Sequence, residues 1–141
     1  MTDDLRSAYG PGRLTAPRTA IARAVSGMAD AFTIDDLAAI VRRSDPGAGA
    51  TATVYRAVAA MEAAGFVERV GARDGSALYA RCATPSHHHH IVCDGCGRIA
   101  HADCPVVPGL DAARTDGFVI TRHEVTLYGL CPTCAEKSSE A

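Results

Sequence analysis

The sequence predicts an α+β chain, helical in its first half and strand-rich in its second, with its potential cross-linking side chains gathered in that second half. Three features predict it. Apolar residues recur at helical spacing in three stretches before residue 65; short strand-like runs replace them from residue 66 onward; and all six cysteines and all six histidines fall at residue 82 or later. The 141 residues suffice for one ordinary domain or two very small ones, and 5% aromatics with no Trp leaves a core of Ala, Val, Leu and Ile. A lobe well below ~70 residues rarely holds itself together by burial alone, so a staple is expected.

Across residues 17–28, Ile21, Ala24, Val25 and Met28 stand at i, i+3, i+4 and i+7, one stripe of a helix. Thr33 supplies a hydroxyl N-cap, and Asp35 and Asp36 place negative charge in the first turn of a second helix. That helix carries Leu37, Ile40 and Val41 and stops at Asp45-Pro46-Gly47. A third opens near Thr51 or Thr53, carries Val54, Val58 and Met61 on one face, and ends at Gly65, where a left-handed residue is expected. Residues 66–70 and 77–81 then read as strands around Arg73-Asp74-Gly75, and Asp-Gly is a strong hairpin signal. Three helices and a hairpin in this order make a winged helix-turn-helix, with the third helix in the major groove and the hairpin as the wing. On the exposed face of that helix lie Thr53, Tyr55 and Arg56, with Ala59 and Ala60 small enough for close approach.

Residues 1–82 form this lobe, residues 83–86 a short polar hinge with Pro85, and residues 87–141 a metal-binding dimerisation lobe. Strands are expected over 87–93, 98–102 and 118–130, with one short helix over 108–116. So few strands leave open edges and a small apolar face, and self-association into a dimer is the expected remedy.

Two CxxC units, Cys93-Asp94-Gly95-Cys96 and Cys131-Pro132-Thr133-Cys134, each place two thiolates on a tight turn. Together they make the tetrahedral four-sulfur cage that structural Zn2+ prefers. Such a site can contribute ~10 kcal/mol or more to folding, which compensates for a thin core. The run His87-His88-His89-His90 leads into the first unit. If it is extended, His88 and His90 face one way and His87 and His89 the other, so one strand serves two metal sites. The face of His88 and His90 looks back across the hinge to Cys82 and to Glu68 on the hairpin's other strand, while His87 and His89 can meet His123. Thiolate with imidazole favours Zn2+ over Fe2+ or Mn2+.

Net charge is −2, so DNA contact has to use a local patch; residues 1–28 hold Arg6, Arg13, Arg18 and Arg23 against Asp3 and Asp4. No apolar run approaches the ~20 residues of a membrane helix, and the first residues lack the basic-then-apolar profile of a secretory signal. A cytoplasmic location is expected, where cysteines serve as ligands rather than disulfides. A zinc enzyme is disfavoured, because a four-thiolate cage has no open position and Cys131 lacks the preceding proline of the nucleobase deaminase motif.

These residues resemble the ferric uptake regulator family of metal-dependent repressors, from about Arg13 to Cys134. The likeness rests on Leu14-Thr15-Ala16-Pro17-Arg18, on Ala52-Thr53-Val54-Tyr55-Arg56, on the run from His87 through Cys93-Asp94-Gly95-Cys96-Gly97, and on Cys131-Pro132-Thr133-Cys134. It implies a homodimeric winged-helix repressor that binds an AT-rich inverted repeat when its regulatory metal is present. The expected DNA contacts are Arg18, Thr53, Tyr55 and Arg56. Iron- and peroxide-sensing members use oxygen ligands at the hinge and usually add a histidine from the N-terminal domain. Here no histidine precedes His87, and Cys82 resembles the zinc uptake regulators. The expectation is therefore a zinc-responsive repressor of metal uptake or homeostasis genes. The rivals are a family member responding to iron, manganese, nickel or peroxide, and a zinc-binding interaction module that does not touch DNA. One departure stands out. The family usually completes the site of His87, His89 and His123 with a glutamate beyond the first CxxC; that stretch here reads Cys104-Pro105-Val106-Val107-Pro108-Gly109. His101, Asp103, Cys104 and Asp111 are the candidate substitutes, with Cys104 otherwise a small buried side chain.

Overall fold

The computed structural model describes residues 2–81, 87–102 and 117–140. Cys82, the hinge over 83–86, the expected helix over 108–116, and Asp103, Cys104 and Asp111 lie outside the described residues. The chain is mixed α and β, as expected; among the described residues four helices and a hairpin are followed by a three-stranded sheet and a last short helix.

A helix the sequence pattern did not announce, α1 (Thr2–Ser7), comes first, and its Leu5 is buried together with Ala8 and Tyr9 just after it. Helix α2 (Ala16–Ser26) is capped by Thr15, whose side chain accepts from the Arg18 N–H at 3.4 Å. Helix α3 (Ile34–Ser44) opens with a full capping box: the Asp36 N–H donates to the Thr33 hydroxyl at 3.1 Å, and the Thr33 N–H to the Asp36 carboxylate at 3.0 Å. Helix α4 (Thr51–Ala63) starts at Ala50 without a side-chain cap and ends before Gly65, which is left-handed as expected. Ile21, Val25, Leu37, Val41, Val54, Val58 and Met61 meet in one core. Ile40 departs from the expectation, 37% exposed, while Ala38 is buried with Leu37 and Val41. The buried stripe of α3 runs one position to the side of the one inferred.

Strands β1 (Glu68–Arg73) and β2 (Ser76–Ala80) pair antiparallel around Asp74 at φ 50° and Gly75 at φ 80°. Two successive positive φ angles are the signature of a type I′ turn, whose twist matches the strands it joins; Asp tolerates that conformation and Gly adopts it freely. The hairpin also pairs with Phe32, whose N–H donates to the Tyr79 carbonyl at 2.9 Å and whose carbonyl accepts from the Tyr79 N–H at 2.8 Å.

In the second half, β3 (His89–Cys93) lies between β4 (Ile99–Ala102), antiparallel, and β5 (Thr126–Gly129), parallel. The long strand expected over 118–130 is a correction: only β5 forms, and Phe118 and Val119 stand exposed. Its partner β3 is five residues long, so the ladder ends about the Val125 carbonyl, 3.5 Å from the His90 N–H. Helix α5 (Pro132–Ser139), also absent from the sequence reading, starts with Pro132 at its first turn and Cys131 at its N-cap. A second core joins the halves: Val70, Leu78 and Ala80 of the hairpin pack with Ala31, Val92 and Ile99. Beside it the Ala31 N–H donates to the Gly97 carbonyl at 3.1 Å.

Candidate metal centres and nucleic-acid interface

Cys93 ends β3, Cys96 follows on the turn toward β4, and Cys131 and Cys134 sit at the start of α5. Their four Sγ atoms lie within 4.8 Å of one another, with Cys96 and Cys131 at 3.8 Å. Four sulfurs each ~2.3 Å from a central ion stand ~3.8 Å apart, so the arrangement fits a tetrahedral ion. The Cys131 N–H, 3.3 Å from the Cys93 sulfur, is the chief influence that overrides burial and brings that thiol down to about 6. Cys93 is thereby biased toward the thiolate that a metal needs.

The second group lies where the two halves meet. His88 Nε2 and His90 Nε2 are 3.2 Å apart, and the Glu68 carboxylate on β1 comes within 3.6 Å and 3.5 Å of them. His101 joins them: it pairs directly with His90 across the β3–β4 ladder, and the ligand atoms of His88, His90 and His101 lie within 4.8 Å of one another. Sequence reasoning offered His101 to the other face of the histidine run. The register puts it on this one, because residues directly opposite in an antiparallel pair point to the same side. The signal was present, since a tight turn from Cys93 to Arg98 counts back to His90 opposite His101. Burial, then the neighbouring His88, His101 and His89, bring His90 down to about 4. Its ring is therefore neutral at pH 7, the form in which an imidazole ligates a metal. Glu68, His88 and His90 are thus together, while Cys82 lies outside the described residues.

On the opposite face His87 Nε2 and His123 Nε2 are 3.1 Å apart, and His89 completes a trio with ligand atoms within 4.8 Å. His89 is 2% exposed; its Nδ1 accepts the Val125 N–H at 3.1 Å, and its Nε2 is buried with no hydrogen-bond partner among the described residues. A buried polar atom left short is what a ligand position looks like before an ion arrives. An ion at Nε2 would require the ring to surrender the Val125 bond, since a neutral imidazole that binds through one nitrogen carries its proton on the other.

On α4 Tyr55 is 60% exposed and Arg56 is exposed, with Thr53 half-buried beside them. Val54, Ala57, Val58 and Met61 form the opposite, buried face. Arg18 is not on that helix. It lies over the Tyr9 ring at 4.8 Å, donates to the Arg13 carbonyl at 3.3 Å, and its own carbonyl accepts the Tyr9 hydroxyl at 2.8 Å.

Comparison with known proteins agrees with this arrangement. The Ferric uptake regulator family matches residues 11–128. The transcriptional regulator FurA of Mycobacterium tuberculosis is 38% identical over 125 residues, covering 87% of this chain and 83% of that protein. Ferric uptake regulation protein 2 of Mycolicibacterium fortuitum is 32% identical over 126 residues, covering 87% and 86%. Among solved structures, a zinc uptake regulator complexed with zinc and DNA aligns with a TM-score of 0.75 at 27% identity, over 98% of this chain and 93% of that one. A zinc-bound manganese uptake regulator aligns at 0.61 and 29%, over 92% and 97%. The family match runs from just before α2 into β5, taking in the strand that carries the histidines, and the chain belongs to the ferric uptake regulator family of transcriptional regulators.

Proposed function

We propose that this regulator answers to zinc, repressing genes of metal uptake or homeostasis by binding an AT-rich inverted-repeat operator as a homodimer in the cytoplasm. The observation that carries the reading is the group at the joint: a carboxylate from the wing, Glu68, within 3.6 Å of two imidazoles from the sheet. Residues 1–82 serve as the DNA-binding lobe, 83–86 as the hinge and 87–141 as the dimerisation lobe. Cys93, Cys96, Cys131 and Cys134 hold a structural Zn2+, and Glu68, Cys82, His88 and His90 hold the regulatory one, with His101 as a further nitrogen donor. His87, His89 and His123 offer a third position. Nitrogen donors with a thiolate suit zinc better than iron or manganese. The structural neighbour solved with zinc and DNA supports the same metal and partner.

An ion at the joint supplies a bond between wing and sheet. With Glu68 drawn to His88 and His90, the wing and α4 take one angle to the sheet, so Thr53, Tyr55 and Arg56 of both protomers meet successive major grooves. By linkage, operator DNA tightens zinc binding by the factor with which zinc tightens DNA binding. Exposed Leu127 and Leu130 supply apolar surface for the partner protomer. Among the described residues no helix is long and apolar enough to cross a membrane.

A second reading, response to iron, draws on the ferric names of the relatives. Operator binding titrated with buffered zinc, iron, manganese and nickel separates the two. Zinc is expected to drive binding at the lowest free concentration, and Cys82→Ser and Glu68→Gln to abolish that dependence while leaving the cysteine cage loaded. Activation by iron at lower free concentration, or wild-type zinc dependence in both variants, overturns the zinc reading.

A further inference from the structure

We propose that Thr126 and Tyr128 are positioning residues that clamp the free edge of the wing and so hold Glu68 opposite His88 and His90. The proposal rests on the reading of those three residues as ligands at the joint. Among the described residues, strand β1 pairs with β2 on one side only. Its register breaks between Arg69 and Gly71, leaving Val70 as an extra residue. An edge of this kind presents backbone groups that need partners. Two side chains of β5 supply them: the Thr126 hydroxyl donates to the Val70 carbonyl at 2.8 Å, and the Tyr128 hydroxyl accepts the Ala72 N–H at 2.8 Å.

The spacing is matched. Thr126 and Tyr128 are two residues apart and share one face of β5, and the groups they hold are two residues apart on β1. The wing strand therefore lies along β5 in the same direction. Thr126 is the ladder partner of His90, and Tyr128 that of Val92, so the clamp stands on the strand next to the histidines. Val70 is fully buried in the second core with Val92, two residues after Glu68. With Val70 and Ala72 pinned, only the Glu68 side chain has to move to reach an ion between wing and sheet.

Gly71 makes the approach possible. A Cβ there would stand 2.6 Å from the Tyr128 hydroxyl oxygen, 3.1 Å from Thr126 Cγ2 and 3.2 Å from Tyr128 Cζ. Glycine inside a strand often marks such a close approach. The clamp needs no metal, so the order it imposes on the wing is already present when the ion arrives; affinity gained in this way is preorganisation.

The test uses the full chain with its cysteine cage loaded, measuring Zn2+ affinity at the joint by competition with a chromophoric chelator. Thr126→Val with Tyr128→Phe is expected to weaken that affinity about tenfold, the effect of losing two ordinary hydrogen bonds. Gly71→Ala, which pushes the ring off the edge without altering β5, should weaken it in the same direction. In the zinc-free chain, amide exchange at Ala72 should speed up in Tyr128→Phe. A Glu68→Gln background distinguishes positioning from general damage: there the double substitution should change affinity less than about twofold, since no carboxylate remains to be placed. Equal loss in that background, or wild-type affinity in the double variant while Glu68→Gln is weak, overturns the clamp alone. Wild-type affinity in Glu68→Gln itself overturns the ligand reading, and the clamp's purpose with it.

Discussion

Leu78 sits on β2 at 1% exposure, in the small core where the hairpin meets the sheet. Truncating it to Ala removes three carbons, each worth about 0.8 kcal/mol in transfer from water, or roughly 2.4 kcal/mol. A cavity term adds to this, because the neighbouring Ala31 and Ala80 are too short to fill the gap. The expected total is about 3–4 kcal/mol, a large part of the ~5–15 kcal/mol that holds most domains together. Leu37→Ala is the matched control: Leu37 is equally buried, but in the helical core away from the joint. In urea unfolding followed by circular dichroism, both variants should lower the midpoint by similar amounts with little change in slope. Only Leu78→Ala should also weaken zinc binding at the joint, since Val70 and the wing lose their seat against Val92. A loss below about 1 kcal/mol in Leu78→Ala, or an equal loss of zinc affinity in Leu37→Ala, would refute the reasoning.

Burial alone would raise the Asp36 carboxyl, but hydrogen bonds from Thr33 and the Arg73 guanidinium at 2.6 Å outweigh it and hold the pKa below the ordinary 3.8. Its charged form is therefore favoured by folding, and that stability is complete above the unfolded value and is lost as pH falls through the lower folded one. Acid unfolding below about pH 4 should thus be less steep in Asp36→Asn than in the wild type, and identical steepness would count against the assignment. Cys96→Ser takes one thiolate from a cage whose kind supplies ~10 kcal/mol or more, so it should release the ion and destabilise the fold. The neighbouring Gly97 carbonyl holds Ala31, so the joint should loosen too. Metal analysis showing full zinc content would argue against the cage.

Local chemistry in the chain was enough to determine the Thr33 N-cap, the Asp74-Gly75 turn, the left-handed Gly65, the CxxC turn at Cys93–Cys96 and the alternation of the histidines, whereas the second CxxC unit opens helix α5 instead of a tight turn. Each depends on residues within a few positions of one another, so periodicity and turn preference carry the information. Pairing between distant segments decided the rest. His101 belongs with His88 and His90 because β4 registers against β3; the parallel ladder between β3 and β5 begins only at Thr126, leaving residues 118–125 outside it; and the stripe on α3 includes Ala38 rather than Ile40 because of what packs there. The clamp is the clearest case. Thr126 and Val70 are 56 residues apart, as are Tyr128 and Ala72. No local pattern marks a hydroxyl for a backbone group at that distance, because the bond exists only once two strands that share no sequence neighbourhood have been brought side by side.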